Sequence, residues 1–360
     1  MRKIVVVIIV AVLSLLLVYV SMTRKPKPLE TVKVSSCLEI SSPGVYVLSA
    51  SLTSENACIK VSSDNVIVEG NGFSIENGEY GVYIEGVKNV TISNLKVVNC
   101  GYGIYVKDSE EVKLVNLEVR NCKKPGVTLV SVKKATLRNI YSSGNAAGIV
   151  VVGSEEDLED YLRAEAFMVR DEKSLGVIVS DSTLTDNEID GFFLLNGVDI
   201  VLRNCTCIGN SGGIYLFYSE NVVVENCTAL DNYYVGVMLD NCDYCEVRRS
   251  IVKGNTGGIR LDYSDYCVVE ENLAVDNILD GIFLQRTSGH NVVSRNVIRG
   301  GTYGIRIINA EKNRIEKNSV HDALRCDLCI ERGLDNIIIN NEFEHMEEIS
   351  GEIGEKKGKD

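Results

Sequence analysis

GVYIEGVKNVTISNLKVVN, residues Gly81–Asn99, is the text that the rest of the chain repeats. Its opening glycine returns at Gly103, Gly126, Gly148, Gly191, Gly213, Gly236, Gly258, Gly281 and Gly304, in steps of 22 or 23 residues with one gap of 43. A fixed short period signals stacked units, so the period decides the architecture before local propensity does. One and three places after every glycine, from Val82 and Ile84 to Ile305 and Ile307, the residue is apolar, in a chain that is 45% hydrophobic. The residues between them are mixed (Tyr83, Lys107, Arg260), and such alternation predicts a strand with one buried face.

Two more alternating pairs follow in each turn. Val90/Ile92, Val112/Leu114 and Cys245/Val247 form the second; Leu95/Val97, Leu117/Val119 and Cys205/Cys207 form the third. Three strands per turn without a helical period predict an all-β chain: a right-handed parallel β-helix of about a dozen coils of 22–23 residues. A leucine-rich repeat would need an LxxLxL spacing that is missing here, and β-branched residues dominate.

Met1-Arg2-Lys3 precede an apolar run, Ile4–Val20, and then Arg24, Lys25 and Lys27 with two prolines. With no A-x-A site after the run, this reads as an uncleaved signal anchor and basic stalk over 1–29, the alternative being a cleaved signal and secretion. Residues 30–64 read as an N-terminal cap, 65–345 as the β-helix with an insertion at 154–174, and 346–360 as a disordered tail. The expected location is the extracytoplasmic face of the cell membrane, with contact to the membrane through the N-terminal helix. A formal charge of −13 argues against nucleic acid as a partner. Oligomeric state leaves no mark in the sequence.

Twelve cysteines are many for a reducing cytosol. Cys100/Cys122, Cys205/Cys227 and Cys245/Cys267 recur one coil apart, so parallel side chains should leave them as buried thiols. Cys37 and Cys58 lie outside the repeat and are the disulfide candidates. His321, Cys326, Cys329 and His345 could hold Zn²⁺, but Cys-x-x-Cys alone is a weak signal and a structural role is the expectation.

The segment Ser35–Ile75 resembles the entry region of NosD-like, carbohydrate-binding and sugar-hydrolase-type (pectin-lyase-like) β-helix proteins, common on archaeal surfaces. The resemblance rests on Cys37, Ser-Pro-Gly-Val-Tyr-Val-Leu, Cys58-Ile and Asn-Val-Ile-Val-Glu-Gly-Asn-Gly-Phe-Ser-Ile. It implies the fold and a surface location, and little about activity. The polygalacturonase-like catalytic set and the Asp-Pro-His of alginate epimerases are absent. Three histidines and five methionines give a NosD-type copper role little to stand on.

An asparagine closes most coils: Asn99, Asn121, Asn145, Asn187, Asn210, Asn232, Asn255 and Asn277. Asparagine tolerates left-handed backbone and bonds neighbouring amides, so a stacked corner is expected. The gap of 43 holds SEEDLEDYLRAEAFMVRDEK, with Ser154 as N-cap and Leu158, Tyr161, Leu162, Ala166 and Val169 at helical spacing, which predicts a helix over 155–171. Nearby outward positions turn apolar (Val130, Val150, Val152, Phe193, Leu195, Phe217), so the helix should cover the first-strand face there.

Beyond the helix that face stays polar. Tyr83 and Tyr105 lie on its N-terminal side; Asp240, Arg260, Asp262, Asp280, Gln285 and Arg306 lie on its C-terminal side. These eight are the candidate ligand-binding residues, for a polysaccharide or cell-envelope glycan bound without catalysis. Asp240 and Asp262 share one repeat position on adjacent coils, so they are also the candidate catalytic pair of a polysaccharide hydrolase or lyase, or Ca²⁺ ligands. The plain alternative is a solvated ladder in which Arg260 neutralises both.

Overall fold

The computed structural model describes residues 31–349, except 165–166 and 168–169. The anchor expected over 1–29 lies outside the described residues, as do Ala166 and Val169 of the insertion and residues 350–360. Among the described residues no helix is long and apolar enough to cross a membrane.

Fourteen strands pair in parallel to form the first sheet, running from Leu38–Ile40 through Tyr80–Glu85 and Gly257–Asp262 to Met346–Ile349. The second and third strands of each turn form the other walls. Lys88–Val98 and Glu110–Arg120 carry both in one strand that bends at Asn94 and Asn116, each in the left-handed region. The chain is a β-solenoid, and one continuous core of Val, Ile, Leu and Cys runs along its axis. The stretch expected as a cap supplies strands in register, Thr31–Val34 on Gly44–Leu48 and Leu38–Ile40 on Ile59–Val61. Cys37 and Cys58 are joined as a disulfide there. At the other end, where a structureless tail is expected from 346, Met346–Ile349 instead adds a last strand to the first sheet.

The repeated glycine is demanded by close approach of the coils. A Cβ on Gly258 would lie 2.1 Å from the Gly281 carbonyl oxygen, and one on Gly103 would lie 2.3 Å from that of Gly126. In the last full coil Asp327 takes the place that follows Gly304. Its carboxylate turns inward and accepts from the backbone N–H groups of Glu344 (2.9 Å) and His345 (3.0 Å), closing the end of the stack.

The asparagines divide into two structural roles. Asn99 and Asn121 are left-handed corner residues, as expected. From Asn145 onward the left-handed residue is the one before, as at Gly144, Asp186 and Asp231. The asparagine itself is buried inside the corner: Asn232 donates its backbone and side-chain N–H to Asn255 Oδ1 (both 2.9 Å), and Asn255 repeats this toward Asn277. Cysteine occupies such slots where asparagine does not, and Cys122 N–H donates to Asn145 Oδ1 at 2.8 Å. Cys100, Cys122, Cys205, Cys227, Cys245 and Cys267 are buried free thiols, with Cys207 and Cys242 beside them.

The insertion forms a helix, Glu155–Arg163, capped by Ser154 and Asp157, which bond each other's backbone N–H (3.1 and 3.0 Å). It is shorter than its apolar spacing suggests: Ala164 is left-handed and ends it. Arg170 returns to pair with Asp157 and Asp160, drawing the chain back toward the next coil. The helix lies on the first-strand face as anticipated, with Leu158 and Tyr161 packed among Val130, Val150, Val152, Phe193 and Leu195. Tyr161 stacks on Phe193 with centroids 4.0 Å apart. Burying Leu158 alone contributes roughly 1.5–3 kcal/mol.

Candidate functional site

The helix divides the first-strand face into two unlike halves. On its N-terminal side four tyrosines tile the surface: Tyr80 stacks on Tyr102 (5.3 Å) and Tyr83 on Tyr105 (5.5 Å), the pairs meeting edge to face. Tyr105 is buried and donates its hydroxyl to Glu155 of the helix at 3.1 Å, while Tyr83 donates to Glu85 at 2.9 Å. Burial raises both phenols far above their usual range. Lys107 holds the Glu155 carboxylate at 2.8 Å and lowers its pKa. Tyr105 therefore docks the helix, Tyr83 backs it, and both stand apart from the remaining candidates.

On the C-terminal side the paired carboxylates have different fates. Asp240 and Asp262 are register partners, as the repeat requires. Asp262 is fully buried and its carboxylate is taken: Arg260 donates from Nε (2.9 Å) and Nη2 (2.8 Å), Gln285 from Nε2 (2.9 Å), and Arg286 lies at 3.6 Å. Asp240 is half-buried and accepts from Asn241 Nδ2 at 2.7 Å. Burial, then the charge of Asp262, raises its pKa. A Ca²⁺ at this pair would have to displace the Arg260 guanidinium from Asp262.

One coil on, a notch opens. Gly257, the register partner of Val235, presents no side chain, so a cavity of about 250 Å³ forms against Arg260, Asp280, Phe283, Arg306, Tyr234 and Leu279. Phe283 lies between two guanidiniums, Arg260 at 5.6 Å and Arg306 at 5.3 Å from its ring centre; Arg306 also covers Tyr303 at 4.3 Å. Asp280 Oδ1 and Arg306 Nε are buried and lack hydrogen-bond partners, although Arg306 Nη1 is 3.9 Å from that oxygen. Burial pushes the Asp280 carboxyl up to about 6, against the pull of Arg306 and Arg260. A lip of exposed apolar side chains borders the notch: Tyr233, Tyr234, Ile278 and Leu279.

Of the eight expected ligand residues, Arg260, Asp280 and Arg306 meet at this notch, Asp240, Asp262 and Gln285 form the neighbouring network, and the two tyrosines lie beyond the helix. The lip went unseen in the sequence. Its signal is two adjacent bulky residues just before the repeat glycine, Tyr233-Tyr234 and Ile278-Leu279, where a corner needs no apolar side chain.

Two family models match the chain: "periplasmic copper-binding protein (NosD)" over residues 174–357 and "right handed beta helix region" over residues 31–159. No curated protein matches it. Among solved structures, the A-module of a mannuronan C-5 epimerase from Azotobacter vinelandii has 17% identity and a TM-score of 0.52, covering 92% of this chain and 90% of that one. The surface adhesin PfbA of Streptococcus pneumoniae has 12% identity and a TM-score of 0.53, covering 81% and 82%. An α-1,3-glucanase from Streptomyces thermodiastaticus has 8% identity and a TM-score of 0.54, covering 90% of this chain and 62% of that one. At such identities the likeness is one of fold.

Proposed function

This chain belongs to the family described as periplasmic copper-binding protein (NosD), and on that scaffold we propose that its first-strand face binds a polysaccharide or cell-envelope glycan without cleaving it. The observation that carries the reading is the notch. A buried carboxylate oxygen and a buried guanidinium N–H lack partners there, beside exposed Tyr234. An orphaned buried polar group costs about 1–3 kcal/mol, which a ligand recovers by pairing with it. Adjacent sugar hydroxyls donate to Asp280 Oδ1 and accept from Arg306 Nε, while the apolar face of the ring rests on Tyr234. The structural relatives include a mannuronan C-5 epimerase, a surface adhesin and an α-1,3-glucanase, which supports a glycan as ligand.

In this reading the N-terminal run holds the solenoid outside the cell; the family's periplasmic description and the Cys37–Cys58 disulfide support that placement. Hydrolase or lyase chemistry at Asp240 and Asp262 is the second reading, favoured by the raised pKa of Asp240, which burial and then the neighbouring Asp262 charge produce. The commitment of Asp262 to Arg260, Gln285 and Arg286 weighs against it. A glycan array, followed by reducing-end and unsaturated-product assays on the glycans retained, tests both. Retention without product is expected. Accumulating product, lost in Asp240→Asn, would overturn binding without catalysis.

The family description also names copper. The core thiols do not suit a metal ion, since seven of the eight donate to backbone carbonyls, such as Cys242 to Leu216 at 3.3 Å. Among the described residues the sulfurs of Cys326 and Cys329 and the carboxylate of Glu347 lie within 4.8 Å of one another, but the two sulfurs are paired as a disulfide, so this set does not fit a copper ion either.

A further inference from the structure

We infer that Tyr218 and Tyr263 form a second saccharide-binding site, an aromatic clamp over Asn241 at the corner where the first strand ends. The slot just after that strand holds Asn196, Tyr218, Asn241, Tyr263, Arg286 and Asn309 on successive coils, and all six are left-handed. Asparagine tolerates that backbone, whereas a tyrosine is strained in it. No core rewards the strain at Tyr263, which is 48% exposed. Strain kept at an exposed ring points to a ligand.

Further round the same corner, Tyr244, Tyr266 and His290 show what one coil step does to two rings. They stack at 5.2 and 4.9 Å between centroids, within 12° of parallel, so rings on adjacent coils leave no space between them. In the Tyr218 slot the middle ring is missing, because Asn241 stands there. Two coil steps span roughly 10 Å, which leaves a gap one ring thick with a stacking distance on either side. Both walls are backed. Arg286 lies over the Tyr263 ring at 5.6 Å from the following coil, so the opposite face turns to the gap. Tyr218 leans on the cluster beneath the inserted helix. Burial, then the Asp240 carboxylate and the Tyr263 phenol, raises the Tyr218 pKa, as expected for groups gathered round one gap.

The floor selects the ligand. Asn241 Nδ2 donates to Asp240 Oδ1 at 2.7 Å, and among the described residues no donor reaches the other oxygen of this half-buried carboxylate. A flat aromatic ligand would stack but offer that oxygen nothing. A pyranose has C–H faces for the two rings and rim hydroxyls for Asp240 and Asn241. The clamp rests on the reading of the notch as a glycan site and extends it. The strand Val235–Asp240 runs from one to the other over roughly 15–20 Å, so the ligand is an oligosaccharide of several units laid along the strands.

The test is an array of short neutral and acidic oligosaccharides probed with the full chain in detergent. Tyr263→Ala should lower retention roughly ten-fold and Tyr263→Phe should keep it, since the ring face does the binding. Asn241→Tyr, which fills the gap with a ring of the protein's own, should lower it at least as far. Tyr244→Ala, outside the gap, should match wild type. The chain has no tryptophan, so tyrosine fluorescence reports the clamp directly: a retained sugar should change it in the wild type and not in Asn241→Tyr. Circular dichroism of each variant confirms that the solenoid is intact. Retention by Tyr263→Ala and Asn241→Tyr equal to wild type would overturn the clamp, and a loss in Arg306→Ala on the same array would show the notch standing without it. A wild type that retains nothing would overturn both.

Discussion

Asp190 and Asp280 occupy the same repeat position, five coils and one coil before Tyr303, yet burial does different work in each. Asp190 is buried, accepts from the Tyr161 hydroxyl at 3.2 Å, and is pushed up to about 7 by desolvation. A folded-state pKa above the ordinary 3.8 means that the native chain holds this proton more tightly than the unfolded one. The stability it confers is complete below about pH 4 and is lost as pH climbs through about 7. Urea unfolding at pH 4.5 and pH 7.5 should show a decline for the wild type that Asp190→Asn reduces; an unchanged pH slope would count against the burial argument. Gly258 is a second residue-scale case. Its missing Cβ would strike backbone rather than a side chain that can move, so Gly258→Ala should cost at least about 1–3 kcal/mol, read from the shift in the denaturation midpoint. The need for glycine was plain from the period; why it was needed was not, because a sequence shows the repeat but not which atoms of the next coil come close.

Among the elements, the corner ladders show how a correct pattern can hide two roles. Coils run to either 22 or 23 residues, so the distance from asparagine to the next glycine cannot tell the left-handed slot from the inward slot beside it. The better signal is the dipeptide: Asn-Cys at Asn99 and Asn121, but Gly-Asn or Asp-Asn at Asn145, Asn187 and Asn232. Asn255 accepts two bonds from Asn232 and donates to Ala229 O and Asn277 Oδ1, so Asn255→Ala leaves buried donors and an acceptor unpaired. A loss of about 1–3 kcal/mol is expected by chemical denaturation, and a change within a few tenths would contradict the ladder's role. The insertion was readable as a change of text with a capping serine. Its end was not, since Ala166 and Val169 continue the helical spacing, whereas Ala164 turns left-handed and bonds its N–H to the Asp160 and Tyr161 carbonyls.

Over the whole molecule, the solenoid converts one dimension of sequence into one of position, and this is why the face could be placed while its chemistry could not. The repeat register put Asp240 beside Asp262 and Arg260 beside Phe283. It did not show that Arg260 folds back onto Asp262, because residues two apart on a strand interact through rotamers that the register leaves open. Nor did it show the notch, which exists because Gly257 lacks a side chain where Val235 and Asp280 have one. The central claim is that this notch binds glycan through Asp280 and Arg306. The most direct measurement is calorimetric titration of an array-selected glycan into wild type, Asp280→Asn and Arg306→Ala at pH 5.0 and pH 7.5. Asp280 ionises near pH 6, so wild-type affinity should be higher at pH 7.5, where the carboxylate accepts from sugar hydroxyls. Arg306→Ala should lose about 1.5–3 kcal/mol of binding at both values, and Asp280→Asn should remove the pH dependence. Affinities that match wild type in both variants at both pH values would contradict the account.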